Sequence, residues 1–211
     1  MSWENNPCGG ARYRTLSNAT IEVEGIGVPA YRPGSLEFSH LANTWKNWKN
    51  LIRKYAQDEK IPASSVLAIA SKETGRWSSD KQRQATITSP AGAVGVMQLM
   101  PFITNENRAD PGVSFRHGSR ILASHLRRFG SLPAAATAYN SGGVYCYEGP
   151  TSNPSVTPNE FGFKNEHNYS GSVVKYNNSA ILYLNANSPS LLPWAFGGVV
   201  AASAGIYLLN K

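Results

Sequence analysis

Apolar side chains in this chain recur at helical rather than strand spacing, and that periodicity limits it to a mainly helical fold. In residues 41–56, Leu41, Trp45, Trp48, Leu51, Ile52 and Tyr55 share one helical face, while Lys46, Lys49, Asn50 and Lys54 occupy the other. Pro62 stands where a second helix begins, Val66, Leu67, Ile69 and Ala70 carry it, and Gly75 is a natural stop. A loop rich in Ser, Thr and Gly is expected to run on to Val94, with a short helix over residues 97–100 halted by Pro101. Phe115, Ile121, Leu122, Leu126 and Phe129 mark another amphipathic helix closed by Gly130. Ser131 has the chemistry to cap the Ala-rich helix that follows, through Asn140. Residues 142–166 read as irregular. A last helix from about Tyr169 to Leu184 buries Val173, Tyr176, Ala180 and Ile181.

This pattern divides the chain into three parts. Residues 1–38, rich in Gly, Pro, Asn and Ser with one alternating stretch at 21–24, read as an extended arm with little structure of its own. Residues 39–186 form the helical domain, and residues 187–211 a hinge and an apolar tail. Residues 191–209 contain no charge, and nineteen residues at about 1.5 Å each nearly span a hydrocarbon layer about 30 Å thick. Trp194 and Tyr207 lie near the ends of that stretch, and Gly197, Ala201 and Gly205 recur every four residues. We expect a C-terminal transmembrane helix, with a buried helix of a soluble core as the alternative. The first residues lack the basic-then-apolar pattern of a secretory signal.

Net charge is +7, which favours an acidic partner: nucleic acid, anionic lipid or bacterial cell wall. No nucleic-acid motif is present, so nucleic acid is not expected. Cys8 and Cys146 fit neither a disulfide framework nor a zinc site, and their pairing stays open. The four His form no metal motif, so no metal or cofactor is expected.

Chemistry gathers in four segments. Glu73 stands in the last helical turn of residues 70–75, where the negative end of the helix dipole and apolar neighbours both favour a neutral, proton-donating carboxyl. Residues 89–101 join a Gly-rich turn to an amide, Gln98. Residues 136–143 end a helix on Tyr139, Asn140 and two glycines, and Asn168-Tyr169 opens the last helix.

In this order, over roughly residues 40–185, the segments resemble the soluble lytic transglycosylases, relatives of goose-type lysozyme. That family carries a helix-terminal Glu followed by Ser, then Gly-Leu-Met-Gln-like, Ala-Tyr-Asn-Ala-Gly and late-Tyr motifs. The resemblance implies a mainly α, lysozyme-like domain with Glu73 as acid and base. It makes Ser89 and Gln98 similar to sugar-binding residues and Met97 similar to a wall of the substrate groove. Tyr139 resembles the phenol beside the catalytic carboxylate, Asn140 a residue shaping the groove, and Tyr169 the tyrosine that closes the site. Two departures, Thr74 for Ser and Ser141 for Ala, keep small side chains. Residues 144–167 fit the family poorly.

Glu73 has no acidic companion in these motifs, whereas glycosidases that add water use two carboxylates. The expectation is therefore lytic cleavage of the MurNAc-GlcNAc β-1,4 bond with a 1,6-anhydro product. Hydrolysis of the goose-type kind, with Asp80 assisting, is the alternative. From another class comes a membrane-associated structural virion protein whose transglycosylase fold binds wall without cutting it. Absence of a secretory signal leads us to expect a bacteriophage virion as vehicle, opening the wall during entry. The partners are then peptidoglycan strands, lipid membrane through residues 191–209, and other virion membrane or capsid proteins.

Overall fold

The computed structural model describes residues 3, 4, 6, 8–147, 156–158, 160–166 and 168–187. Six helices dominate it: α1 (Leu36–Glu59), α2 (Ala63–Ala70), α3 (Lys81–Thr86), α4 (Pro111–Phe129), α5 (Leu132–Ser141) and α6 (Tyr169–Asn187). Two small antiparallel hairpins accompany them, β1 (Tyr13–Thr15) with β2 (Ile21–Val23) and β3 (Val156–Pro158) with β4 (Lys164–Glu166).

The helix boundaries follow from local chemistry. Ser35 caps α1 by accepting the Phe38 N–H at 3.2 Å, and Lys60 ends it in the left-handed region. Asp110 accepts the Val113 N–H at 2.9 Å, Pro111 opens α4, and Gly130 closes it. Ser131 precedes α5 but does not cap it with its side chain; its hydroxyl meets the Tyr13 phenol at 3.0 Å instead.

Helix α6 is the axis of the domain. It packs chiefly on α2 and α5 and also touches α1, so its middle is buried nearly all round: Val173, Val174, Tyr176, Ala180 and Ile181. Trp45, Trp48, Ile52, Leu67, Ile69, Phe115 and Leu122 complete the core around it.

The N-terminal segment differs from the expected arm. Its hairpin pairs Tyr13 with Val23 and Thr15 with Ile21, and the side chains of Tyr13, Ile21 and Val23 join the core. Polar residues of α6 hold it in place. Asn178 accepts the Ile21 N–H and donates to the carbonyls of Ile21 and Pro29, each at 2.8 Å. Asn177 donates to the Ala19 carbonyl at 3.0 Å, and Ser179 accepts the Tyr31 N–H at 2.8 Å. A buried amide is tolerated because each polar atom finds a partner.

Three further expectations are corrected. The loop after Gly75 contains α3, capped by Asp80, whose carboxylate accepts the Arg83 N–H at 2.7 Å. Residues 97–100 are not helical: Val94 and Leu99 exchange backbone hydrogen bonds in a tight loop, and a single 3-10 turn follows at Pro101–Ile103. Within 142–166, β3 and β4 form a hairpin. Cys8 and Cys146 are joined as a disulfide, tying the N-terminal segment to the chain just after α5. The apolar stretch at 191–209 lies outside the described residues, and among those described no helix is long and apolar enough to cross a membrane.

Candidate active site

The chain leaves α2 through one π turn, Ser71–Gly75, which carries Glu73. Such turns widen the helix by one residue and often occur at functional sites. Here the turn presses against α1: a Cβ at Gly75 would stand 2.4 Å from the Thr44 Oγ1. On the other side the Thr74 hydroxyl is buried and donates to the Val96 carbonyl at 3.2 Å, with the Ala70 carbonyl at 3.3 Å as its alternative. The hydroxyl kept at this position therefore links the turn to the Gly-rich loop.

That loop is held by its own backbone and by two side chains. Gly95 adopts φ +86°, and a Cβ there would strike the Arg108 carbonyl at 2.2 Å. Gln98 also has positive φ, 48°, a conformation that costs a non-glycine residue about 1 kcal/mol. Its amide nitrogen donates to the Ile87 and Gly95 carbonyls at 3.1 and 2.9 Å, which secures the strained turn. Arg108 donates to the Gly92 and Leu99 carbonyls at 2.9 and 2.8 Å. Ser89 accepts the Ala93 N–H at 3.1 Å.

A groove of about 1590 Å³ brings Glu73, Ser89, Gln98, Tyr139 and Asn140 together. Tyr169, in the first turn of α6, donates its hydroxyl to Glu73 Oε1. Tyr139 donates to the Met97 carbonyl at 2.7 Å. Met97 itself needs correcting as a groove wall: its side chain is fully buried in the core, packed over Gly118, and only its carbonyl serves the site. Six of the seven residues picked out in the sequence thus meet at or beside one groove. Trp77 and Tyr145 add exposed aromatic faces to it, suited to the apolar faces of sugar rings.

Burial pushes the Glu73 carboxyl up to about 7, against the opposing pull of the Tyr169 hydrogen bond and of the Arg76 and Lys72 charges. The acid is therefore partly protonated near neutral pH and can both give and take a proton. Burial and the Glu73 charge raise both Tyr139 and Tyr169 well above the ordinary phenol value, so each remains a donor. Lys72 is lowered to about 8, first by burial and then by Arg76. Its ammonium lies 5.6 Å from the centre of the Tyr169 ring.

Lys72, Arg76 and Arg108 were not legible as site residues. Lys72 and Arg76 flank the carboxyl in sequence, but basic residues beside a Glu are common on helix ends, and nothing local marks Arg108. Among the described residues no cluster of His, Cys, Asp and Glu is placed to hold a metal ion.

Residues 50–147 match the family model of the transglycosylase SLT domain. Tyr169 lies beyond that span. Two solved structures are similar. One is the 70 kDa soluble lytic transglycosylase of Escherichia coli, at 22% identity and TM-score 0.40, covering 51% of this chain and 22% of that one. The other is an inactive mutant of the lytic transglycosylase Slt from Pseudomonas aeruginosa, at 17% identity and TM-score 0.44, covering 66% of this chain and 24% of that one. This chain therefore spans about a quarter or less of the length of those enzymes. The match to the transglycosylase SLT family model thus takes in the π turn, the Gly-rich loop and the end of α5, a little under half of the chain.

Proposed function

We propose that the chain is a peptidoglycan lytic transglycosylase in which Glu73 serves as both acid and base. One observation carries the reading: among the described residues lining the groove, Glu73 is the sole carboxylate, and its pKa is raised to about 7. Asp80, the acid that a hydrolytic route would draw on, is engaged as the cap of α3, and Asp110 caps α4. A single acid suits an intramolecular route. Protonated Glu73 donates to the glycosidic oxygen as the bond from the MurNAc C1 breaks, and the substrate's N-acetyl oxygen supports the positive charge left on C1. The Glu73 carboxylate then removes the proton of the same sugar's 6-hydroxyl, whose oxygen bonds to C1 and closes the 1,6-anhydro ring. No water is consumed. Tyr169, donating to Glu73 Oε1, orients the carboxyl and steadies it when ionised.

The test is digestion of purified peptidoglycan with mass analysis of the released muropeptides. Wild type should release anhydro products and Glu73→Gln none. Reducing-end products would establish the hydrolase instead, and no products from wild type the structural, wall-binding alternative.

To the same reading belong a lipid anchor in residues 191–209 and a virion as vehicle, with neighbouring virion membrane or capsid proteins as partners. The uncharged nineteen-residue stretch supports the anchor. Flotation of the full chain with lipid vesicles, lost when residues 191–209 are deleted, checks the anchor. Absence of the protein from purified particles would dismiss the vehicle.

A further inference from the structure

Val144, Tyr145, Cys146 and Lys164, from the part of the chain after α5, line the groove, and the backbone that carries them is tied down at several points. The Cys8–Cys146 disulfide anchors it at one point. Backbone hydrogen bonds add others: Lys164 N–H to the Tyr145 carbonyl at 2.7 Å and Tyr147 N–H to the Gly162 carbonyl at 2.9 Å. Asn6 fastens the same stretch from the N-terminal side by donating to the Phe161 carbonyl at 2.9 Å. Phe161 and Phe163 are fully buried, and Lys164, next in line, is exposed and lines the groove. Alternation along the strand turns the aromatic inward and the ammonium outward.

Lys72 and Arg76 line the same groove, so three cationic side chains face it against one acid, Glu73, among the described residues. The proposed mechanism uses Glu73 but has no task for Lys164. Glycan strands themselves are neutral along their sugars, since the lactyl carboxyl of each muramic acid is spent in the amide to its peptide. Free carboxylates lie on the peptide branches.

We propose that the Lys164 rim binds the free carboxylates of these peptide branches, so that the groove selects strands bearing peptides with uncapped carboxylates. The inference rests on the peptidoglycan reading above. With the backbone around it fixed, pairing orders only the Lys164 side chain, and the groove's positive potential attracts a carboxylate-bearing branch, repels a basic one and gives an amidated one no such pull.

The experiment measures binding, independent of cleavage, with full-length Glu73→Gln as the reference protein. It is compared with Glu73→Gln carrying Lys164→Glu, and with Glu73→Gln carrying Lys164→Arg. Co-sedimentation uses insoluble peptidoglycan in three forms: hydrofluoric-acid-treated to remove phosphate polymers, the same material with its carboxylates converted to amides by carbodiimide and ammonium, and untreated wall. The expected result is an affinity about fivefold weaker for Lys164→Glu on carboxylate-bearing strands, retained affinity for Lys164→Arg, and no difference between proteins on amidated strands. The gap should narrow at high salt. Equal losses on both strand types, or no loss on either, would overturn the inference. So would a preference that disappears on removing phosphate polymers rather than carboxylates. Failure of the catalytic reading shows elsewhere, as absence of muropeptide release by wild type, and leaves these binding differences measurable.

Discussion

At the scale of the residue, the chemistry is set by how Glu73 is solvated. Its folded pKa of about 7 lies above the ordinary 4.5, so the fold favours the protonated carboxyl. That contribution to stability is fully present below about pH 4.5 and is lost as pH rises through 7, where the ionised group costs the folded state on the order of 3 kcal/mol. Glu73→Gln should therefore melt higher than wild type at pH 8 and match it near pH 4.5, as thermal unfolding at the two pH values would show. Tyr169 acts in the opposite direction, since its hydroxyl hydrogen-bonds the ionised form. Tyr169→Phe should raise the Glu73 pKa further and move the alkaline fall of activity to higher pH. An unchanged or downward-shifted limb in the pH profile of muropeptide release would contradict that role.

At the scale of the element, the π turn is the piece on which precision depends. It is gripped between Thr44 of α1, which leaves no room for a Cβ at Gly75, and the Val96 carbonyl, which receives the Thr74 hydroxyl. Gly75→Ala should cost about 1–3 kcal/mol by overpacking and reduce turnover further by displacing Glu73. Adding Thr44→Ala should recover part of the stability, because it removes the nearest clashing atom. A thermal melt and a kcat for the single and double variants decide the point. The amphipathic helices around this turn were readable from spacing. The turn itself was not, because a π bulge is dictated by what presses on it from both sides. Residues 97–100 show the same limit: Met97 and Leu99 look helical in a string, but the loop is set by Arg108, Gln98 and the Gly95 approach to the Arg108 carbonyl.

At the scale of the whole molecule, the N-terminal segment and the groove belong to one structure. The hairpin is fastened to α6 by Asn177, Asn178 and Ser179, and the Cys8–Cys146 disulfide connects positions 138 residues apart. Loop-closure entropy for a span that long sets a ceiling of about 5 kcal/mol on its stabilisation. Cys8→Ser, or reduction of the wild type, should lower the melting temperature and also the activity, since Cys146 lines the groove. Equal melting temperatures with and without reductant would remove the disulfide from the account. Hydropathy carries no sign of this docking: Asn177 and Asn178 are polar, yet they are buried because Ser65 and the backbone of the N-terminal segment supply their partners.

Helical class and most helix ends could be read from the string of residues, and the family resemblance picked out Glu73, Gln98, Tyr139 and Tyr169, because periodicity, caps and ordered motifs are local and survive without knowledge of neighbours. Tertiary structure alone decided that Met97 belongs to the core and that Asp80 is a cap, that the cysteines pair, and that Glu73 is surrounded closely enough to hold its proton near pH 7. Each of these depends on which distant groups exclude water or complete a hydrogen bond, and no run of residues encodes that on its own.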